Sequence, residues 1–193
     1  VLEYCAGNDL AFFLKQNKCI AEKEARSVIK QVVSALTYLA ERKPSIIHYD
    51  LKIMENTDDS ESIELTTQFS GTYWYLPPET FETGAFAPKI SHKVDVWSVG
   101  VILYQCLYGK RPFGDEQTQQ KILQERTIIK ATEVNFPLKP QISKVAQDFI
   151  KRCLQYKKQD RADIFELMNH DFFKFGCRSE KRLNKAESSE NDS

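Results

Sequence analysis

The sequence has no surplus charge of either sign. Its 27 lysines and arginines offset 27 aspartates and glutamates, so no global field draws it to nucleic acid or to an anionic membrane. It has no CxxC pair either. Its five cysteines, Cys5, Cys19, Cys106, Cys153 and Cys177, are odd in number and far apart. That pattern argues against a zinc site or a disulfide framework and fits a reducing, intracellular compartment. Long hydrophobic runs are missing too: the most apolar stretch, Val94–Tyr104, is broken by Asp95, Ser98 and Gly100 and falls short of the roughly 20 residues that a membrane span needs. There is no signal peptide and no initiator methionine, so the opening reads as the middle of something longer. What remains is 193 residues, 41% apolar and 28% charged, enough for one domain with a proper core and unlike a disordered or fibrous chain.

Periodicity places the helices. Val1–Cys5 reads as the end of a strand, and Asn8 or Asp9 can cap a short helix through Leu10, Phe13 and Leu14. From Glu22, the stripe Ala25, Val28, Ile29, Val32, Leu36 and Leu39 predicts an amphipathic helix. Lys43-Pro44-Ser45 ends it, and Ile46-Ile47 is read as a strand fragment. Residues 53 to 88 carry seven acids and no lysine or arginine; the part up to Gln68 has no period and is expected to be a mobile loop. Val94–Tyr108 is apolar on all sides, as a helix buried all round would be, and Gly109 should stop it. Further helical stretches are expected over Gln117–Lys130, Ser143–Leu154 and Ile164–His170, followed by a frayed polar tail from Arg178.

Two clusters carry chemistry. In Ile47-His48-Tyr49-Asp50-Leu51-Lys52, an aspartate and a lysine two residues apart can accept a hydroxyl proton and place positive charge near a moving phosphoryl group; by itself the hexapeptide equally suits a solvated surface loop. The second cluster is Gly71-Thr72-Tyr73-Trp74-Tyr75-Leu76-Pro77-Pro78-Glu79, with Asp95, Trp97 and Gly100 following.

Taken together, and in this order, these residues resemble the protein-kinase catalytic domain. His48-Tyr49-Asp50-Leu51 stands where that family has its catalytic loop, and Pro77-Pro78-Glu79 where the activation segment closes. Leu2-Glu3-Tyr4-Cys5 to Asp9-Leu10 is similar to the hinge that receives adenine. Lys52 and Gly71-Thr72 look like the serine/threonine class. Residues 71–79, 93–102, 104–109 and 130–134 look like the tousled-like kinases. The fold this implies is mainly α: a kinase-like C-terminal lobe, with the small N-terminal β lobe absent from these residues. The expected layout is a partial kinase domain over 1–177 (hinge 1–9, catalytic loop 46–52, truncated activation segment 53–79, helical lobe 80–175) and a disordered tail over 178–193.

The resemblance also implies roles. Asp50 would take the substrate hydroxyl's proton, Lys52 would sit on the transferring phosphoryl group, and Thr72 would orient both. Glu3 and Cys5 would offer backbone groups to adenine, with Asp9 near the ribose. Asp95 would tie the backbone at His48 to the central helix, and Arg161 would pair with Glu79. The family uses ATP and Mg2+, is nuclear, acts in chromatin assembly and phosphorylates a histone chaperone. A protein substrate and full-length kinase partners are thus expected, with no direct nucleic-acid or membrane contact.

The departures matter as much. Tyr49 replaces the usual arginine, so activation-loop phosphorylation lacks its electrostatic anchor. Five positions after Asp50 stands Glu55 instead of asparagine, and Asp-Phe-Gly occurs nowhere; the glycine-rich loop and the paired lysine and glutamate are missing as well. Ile53-Met54-Glu55 resembles the stretch just beyond the family's Asp-Phe-Gly, which points to an internal deletion after Lys52. No metal ligand is assigned, because Asp58, Asp59 and Glu61 are read as a solvated acidic loop. His92 and His170 are expected at the surface or in caps. Tyr73, Trp74 and Tyr75 are read as a packed substrate-side loop, and Lys151, Arg152, Lys157 and Lys158 as a wet helix face. Three readings follow: an enzyme of which this is an incomplete copy, a catalytically dead module that binds substrate or partners, or a fragmentary gene product.

Overall fold

In a computed structural model the chain is described over residues 9–53, 73–81 and 90–174. The expected strand at 1–5, the acidic stretch up to Gln68 and the polar tail lie outside them. All regular elements among the described residues are helical. α1 (Leu10–Asn17) starts where the Asp9 carboxylate accepts from Phe12 N at 2.7 Å, an N-cap that satisfies one orphan donor of the first turn. α2 (Glu22–Ala40) buries Ala25, Ile29, Val33 and Leu36, one stripe of a 3.6-residue period.

α3 (Lys93–Tyr108) is the centre of the molecule. Every residue from Val94 to Leu107 is buried, because α2 packs on one side and α6 (Lys144–Cys153) on another. Gly100 permits the second contact: a Cβ there would meet Cys153 Cβ at 2.5 Å. Gly109 ends α3 in the left-handed region at φ 68°, its N–H returning to the Gln105 carbonyl, the usual glycine stop.

The single helix expected over Gln117–Lys130 is two, α4 (Gln119–Glu125) and α5 (Thr127–Lys130). Arg126 breaks them at φ 55°; apolar spacing carries no sign of a non-glycine left-handed residue, so the period runs through the break. Likewise Ile46-Ile47 belongs to no strand: Ile46 N donates to the Leu39 carbonyl rather than to a neighbouring strand. α6 is capped by Ser143, whose Oγ accepts from Ala146 N. α7 (Ile164–Met168) opens with a reciprocal capping box between Asp163 and Glu166 and packs on α2.

Two links close the lobe. Glu22, at the start of α2, accepts from both Ser143 N and Ser143 Oγ at 2.9 Å. Beyond α7, His170 Nδ1 accepts from Phe172 N while its Nε2 meets Asp148 at 3.0 Å, so it is a capping histidine. Phe172 and Phe149 are fully buried with ring centroids 5.0 Å apart.

Cys106 on α3 and Cys153 on α6 are both buried. Burial pushes the Cys106 thiol up to about 12 and moves Cys153 upward as well. The thiolate is the nucleophile, so at pH 8 both stay protonated in the folded chain. Iodoacetamide should therefore modify them roughly a hundredfold or more slowly than in urea, as mass spectrometry of digested samples would show. Native labelling at the rate of a free thiol would mean that α3 and α6 part readily.

Candidate active site

The loop after α2 is hung from α3. Asp95 is 3% exposed, and its two carboxylate oxygens accept from His48 N at 2.9 Å and Tyr49 N at 2.7 Å. Charge-assisted bonds to consecutive backbone donors fix the direction of the chain. Tyr49 sits at φ 68°, a region that costs most side chains energy, and Asp50 N returns to the His48 carbonyl. The sharp turn sends Asp50 outward, its side chain 44% exposed, and Lys52 Nζ lies 3.2 Å from its Oδ2. One residue further on, Ile53 is buried in the core. The Tyr49 phenol is moved up by burial; it offers no cation where the resemblance would have placed an arginine.

Replacing Asp95 tests this suspension. Asp95→Asn keeps one acceptor but turns an amide NH2 toward a backbone N–H. A loss of about 2 kcal/mol follows for a buried donor left without its partner, together with faster amide exchange at His48 and Tyr49. Unchanged exchange at both amides would show that the loop does not hang from α3.

The segment at 73–81 is held to the same helix. Ser98 Oγ donates to the Tyr75 carbonyl at 2.8 Å, and Tyr75 Oη meets Gln105 at 2.6 Å. Trp74 donates to the Gly114 carbonyl at 2.7 Å and carries the Arg111 guanidinium over its ring. Nothing local in the sequence signals these partners, since they come from 23 to 40 residues away.

At its end, Glu79 forms a two-pronged pair with Arg161: Nη1 to Oε1 at 2.7 Å and Nη2 to Oε2 at 2.9 Å. The guanidinium also donates to the carbonyls of Lys93 and Gln155 and lies over the Trp97 ring at 5.0 Å. Lys93 Nζ reaches back to the Arg161 carbonyl. Arg161 is thereby set apart from Lys151, Arg152 and Lys157, which are exposed.

Of the nucleotide-side positions, Asp9 is the N-cap of α1; Glu3, Cys5 and Thr72 lie outside the described residues. The structure thus brings together Asp50 with Lys52, Asp95 with their loop, and Glu79 with Arg161. Magnesium does not fit the described loop. Within residues 46–53 Asp50 is the single carboxylate, and Lys52 already stands on it, whereas a magnesium site on a nucleotide draws on carboxylates free to face the ion.

Comparison with known proteins follows the same lines. The profile of the protein kinase domain matches residues 1–57 and again 53–173, two stretches that meet just beyond Lys52. A serine/threonine-protein kinase tousled-like 1 from Caenorhabditis elegans is 58% identical over 90% of this chain and 20% of its own length. The Homo sapiens tousled-like 1 kinase is 55% identical over 89% of the chain and 26% of its length. The TOUSLED kinase of Arabidopsis thaliana is 47% identical over 91% and 28%. The chain spans between a fifth and three tenths of the length of these curated relatives.

Proposed function

Since the chain belongs to the protein kinase family, with tousled-like serine/threonine kinases as its relatives, we propose that it derives from an enzyme transferring the ATP γ-phosphoryl group to serine or threonine of a protein. The observation that supports this most is the Asp50–Lys52 pair on a loop suspended from a buried helix. Asp50 accepts the hydroxyl proton as the oxygen attacks. Lys52, 3.2 Å away, keeps positive charge beside the incoming phosphoryl group. By the same kinship Thr72 would orient the two, Glu3 and Cys5 would offer backbone groups to adenine, and Asp9 would lie near the ribose. Tyr49 makes the site less dependent on activation-loop phosphorylation. By the same kinship the substrate is a histone chaperone and the setting nuclear chromatin assembly. Genomic sequence between the codons of Lys52 and Ile53 is the decisive test: an intervening stretch encoding an asparagine and an Asp-Phe-Gly supports the enzyme, and a seamless junction sinks it.

A second reading concerns the 193 residues themselves. The described loop, residues 46–53, offers magnesium a single carboxylate, while the 73–81 segment and the Glu79–Arg161 pair are fully built. As given, the chain is a module that binds substrate without phosphorylating it. Incubated with Mg-ATP and a serine peptide, it should give no label above the Asp50→Ala background. Added to a full-length relative, it should slow phosphorylation of the chaperone. Label that vanishes in Asp50→Ala, or no competition at equimolar chain, would refute the module.

A further inference from the structure

Beside the end of the catalytic loop, where Ile53 enters the core, the C-terminal ends of α1 and α3 meet around a cavity of about 480 Å3, within the size range of small-molecule sites. Its lining includes the apolar Leu14 and Ile53 and the ring-bearing Tyr108, and three lysines, Lys15, Lys18 and Lys110. No acidic residue is among its described lining.

The backbone at the rim is held in a costly shape. Lys18 has φ 61° and ψ −46°, and Cys19 N donates to the Asn17 carbonyl at 2.7 Å. This is a γ-turn of the rare positive-φ form, and for a residue with a side chain such strain needs support from its surroundings. The support is Gly109: a Cβ there would collide with the Lys18 carbonyl oxygen, so the two helix ends are locked against each other.

We propose that this cavity binds a small amphipathic anion, with an aromatic or short aliphatic body on Leu14, Ile53 and Tyr108 and a carboxylate, sulfonate or phosphate head at Lys18 and Lys110. The lysines also face the negative ends of α1 and α3, but that role needs neither the apolar lining residues nor the strained turn. Nothing in this site draws on phosphoryl-transfer chemistry, so it stands or falls apart from the kinase reading.

The test is calorimetry on the full chain with 1-naphthalenesulfonate as the probe and uncharged 1-naphthol as its comparison. One-to-one binding of the sulfonate, at least tenfold tighter than the naphthol, is expected. The Lys18→Gln/Lys110→Gln variant should lose at least tenfold, while Lys157→Gln, an exposed lysine elsewhere, should bind as the parent does. Lys18→Gly removes both charge and strain, so it should melt higher and bind the sulfonate more weakly. Equal affinity for the two probes, or undiminished binding by the double variant, would each overturn the proposal.

Discussion

Arg161→Ala is expected to cost about 3–5 kcal/mol, the range for removing one partner of a buried ion pair. Arg161 is 1% exposed, and its removal strips Glu79 of both hydrogen bonds and leaves the Lys93 and Gln155 carbonyls without their donor. The face of Trp97, itself fully buried, loses its cation as well. For a domain of this size the melting temperature should fall by roughly 10 °C. Arg161→Lys keeps the charge but cannot form the planar two-pronged contact and should recover less than half of the loss. Arg161→Met combined with Glu79→Gln should be less damaging than Arg161→Ala alone, because no unpaired carboxylate remains. Urea denaturation with a loss under about 1 kcal/mol would place this pair with ordinary surface bridges.

Gly100→Val is the second large effect. At the crossing of α3 and α6 even one added carbon would lie 2.5 Å from Cys153 Cβ and 2.9 Å from Leu154 Cδ2. Cβ of Cys153 is fixed to its backbone, so relief requires the two helices to separate. A solvated helix would gain about 1 kcal/mol from Gly→Ala; here Gly100→Ala should instead lose about 2, and Gly100→Val about 3, the upper end for overpacking. Equilibrium unfolding in urea measures both, and a stabilised Gly100→Ala would mean that the helices are not in contact at this point.

How much of this was legible follows from where each signal resides. α2 showed itself through its stripe and α3 through its uniform apolarity with Gly109 behind it, because burial on one face or on all faces is written directly into residue spacing. The caps at Ser143 and Asp163 act within three residues, and the structure, not the spacing, brought them out. The Asp50, Lys52, Asp95, Glu79 and Arg161 positions were readable from ordered motifs. Their distances and shared scaffold were not, since Arg161 and Glu79 are 82 residues apart. The break at Arg126 and the strained turn at Lys18 left no trace, because a left-handed backbone at a lysine or arginine is imposed by tertiary packing against local preference. Trp74, Tyr75 and Ser98 were legible as packed residues, whereas their partners Gly114 and Gln105 were not.

The all-round burial of α3 also has a bearing on how the chain is made. Its cover on one side, α6, ends about 45 residues after α3 does. At ribosomal speeds of about 5–20 residues per second, α3 emerges several seconds before α6 is complete. During that interval a helix oily on most of its circumference is in the open beside the exit tunnel, making it the stretch of the newborn polypeptide that chaperones have most reason to grasp.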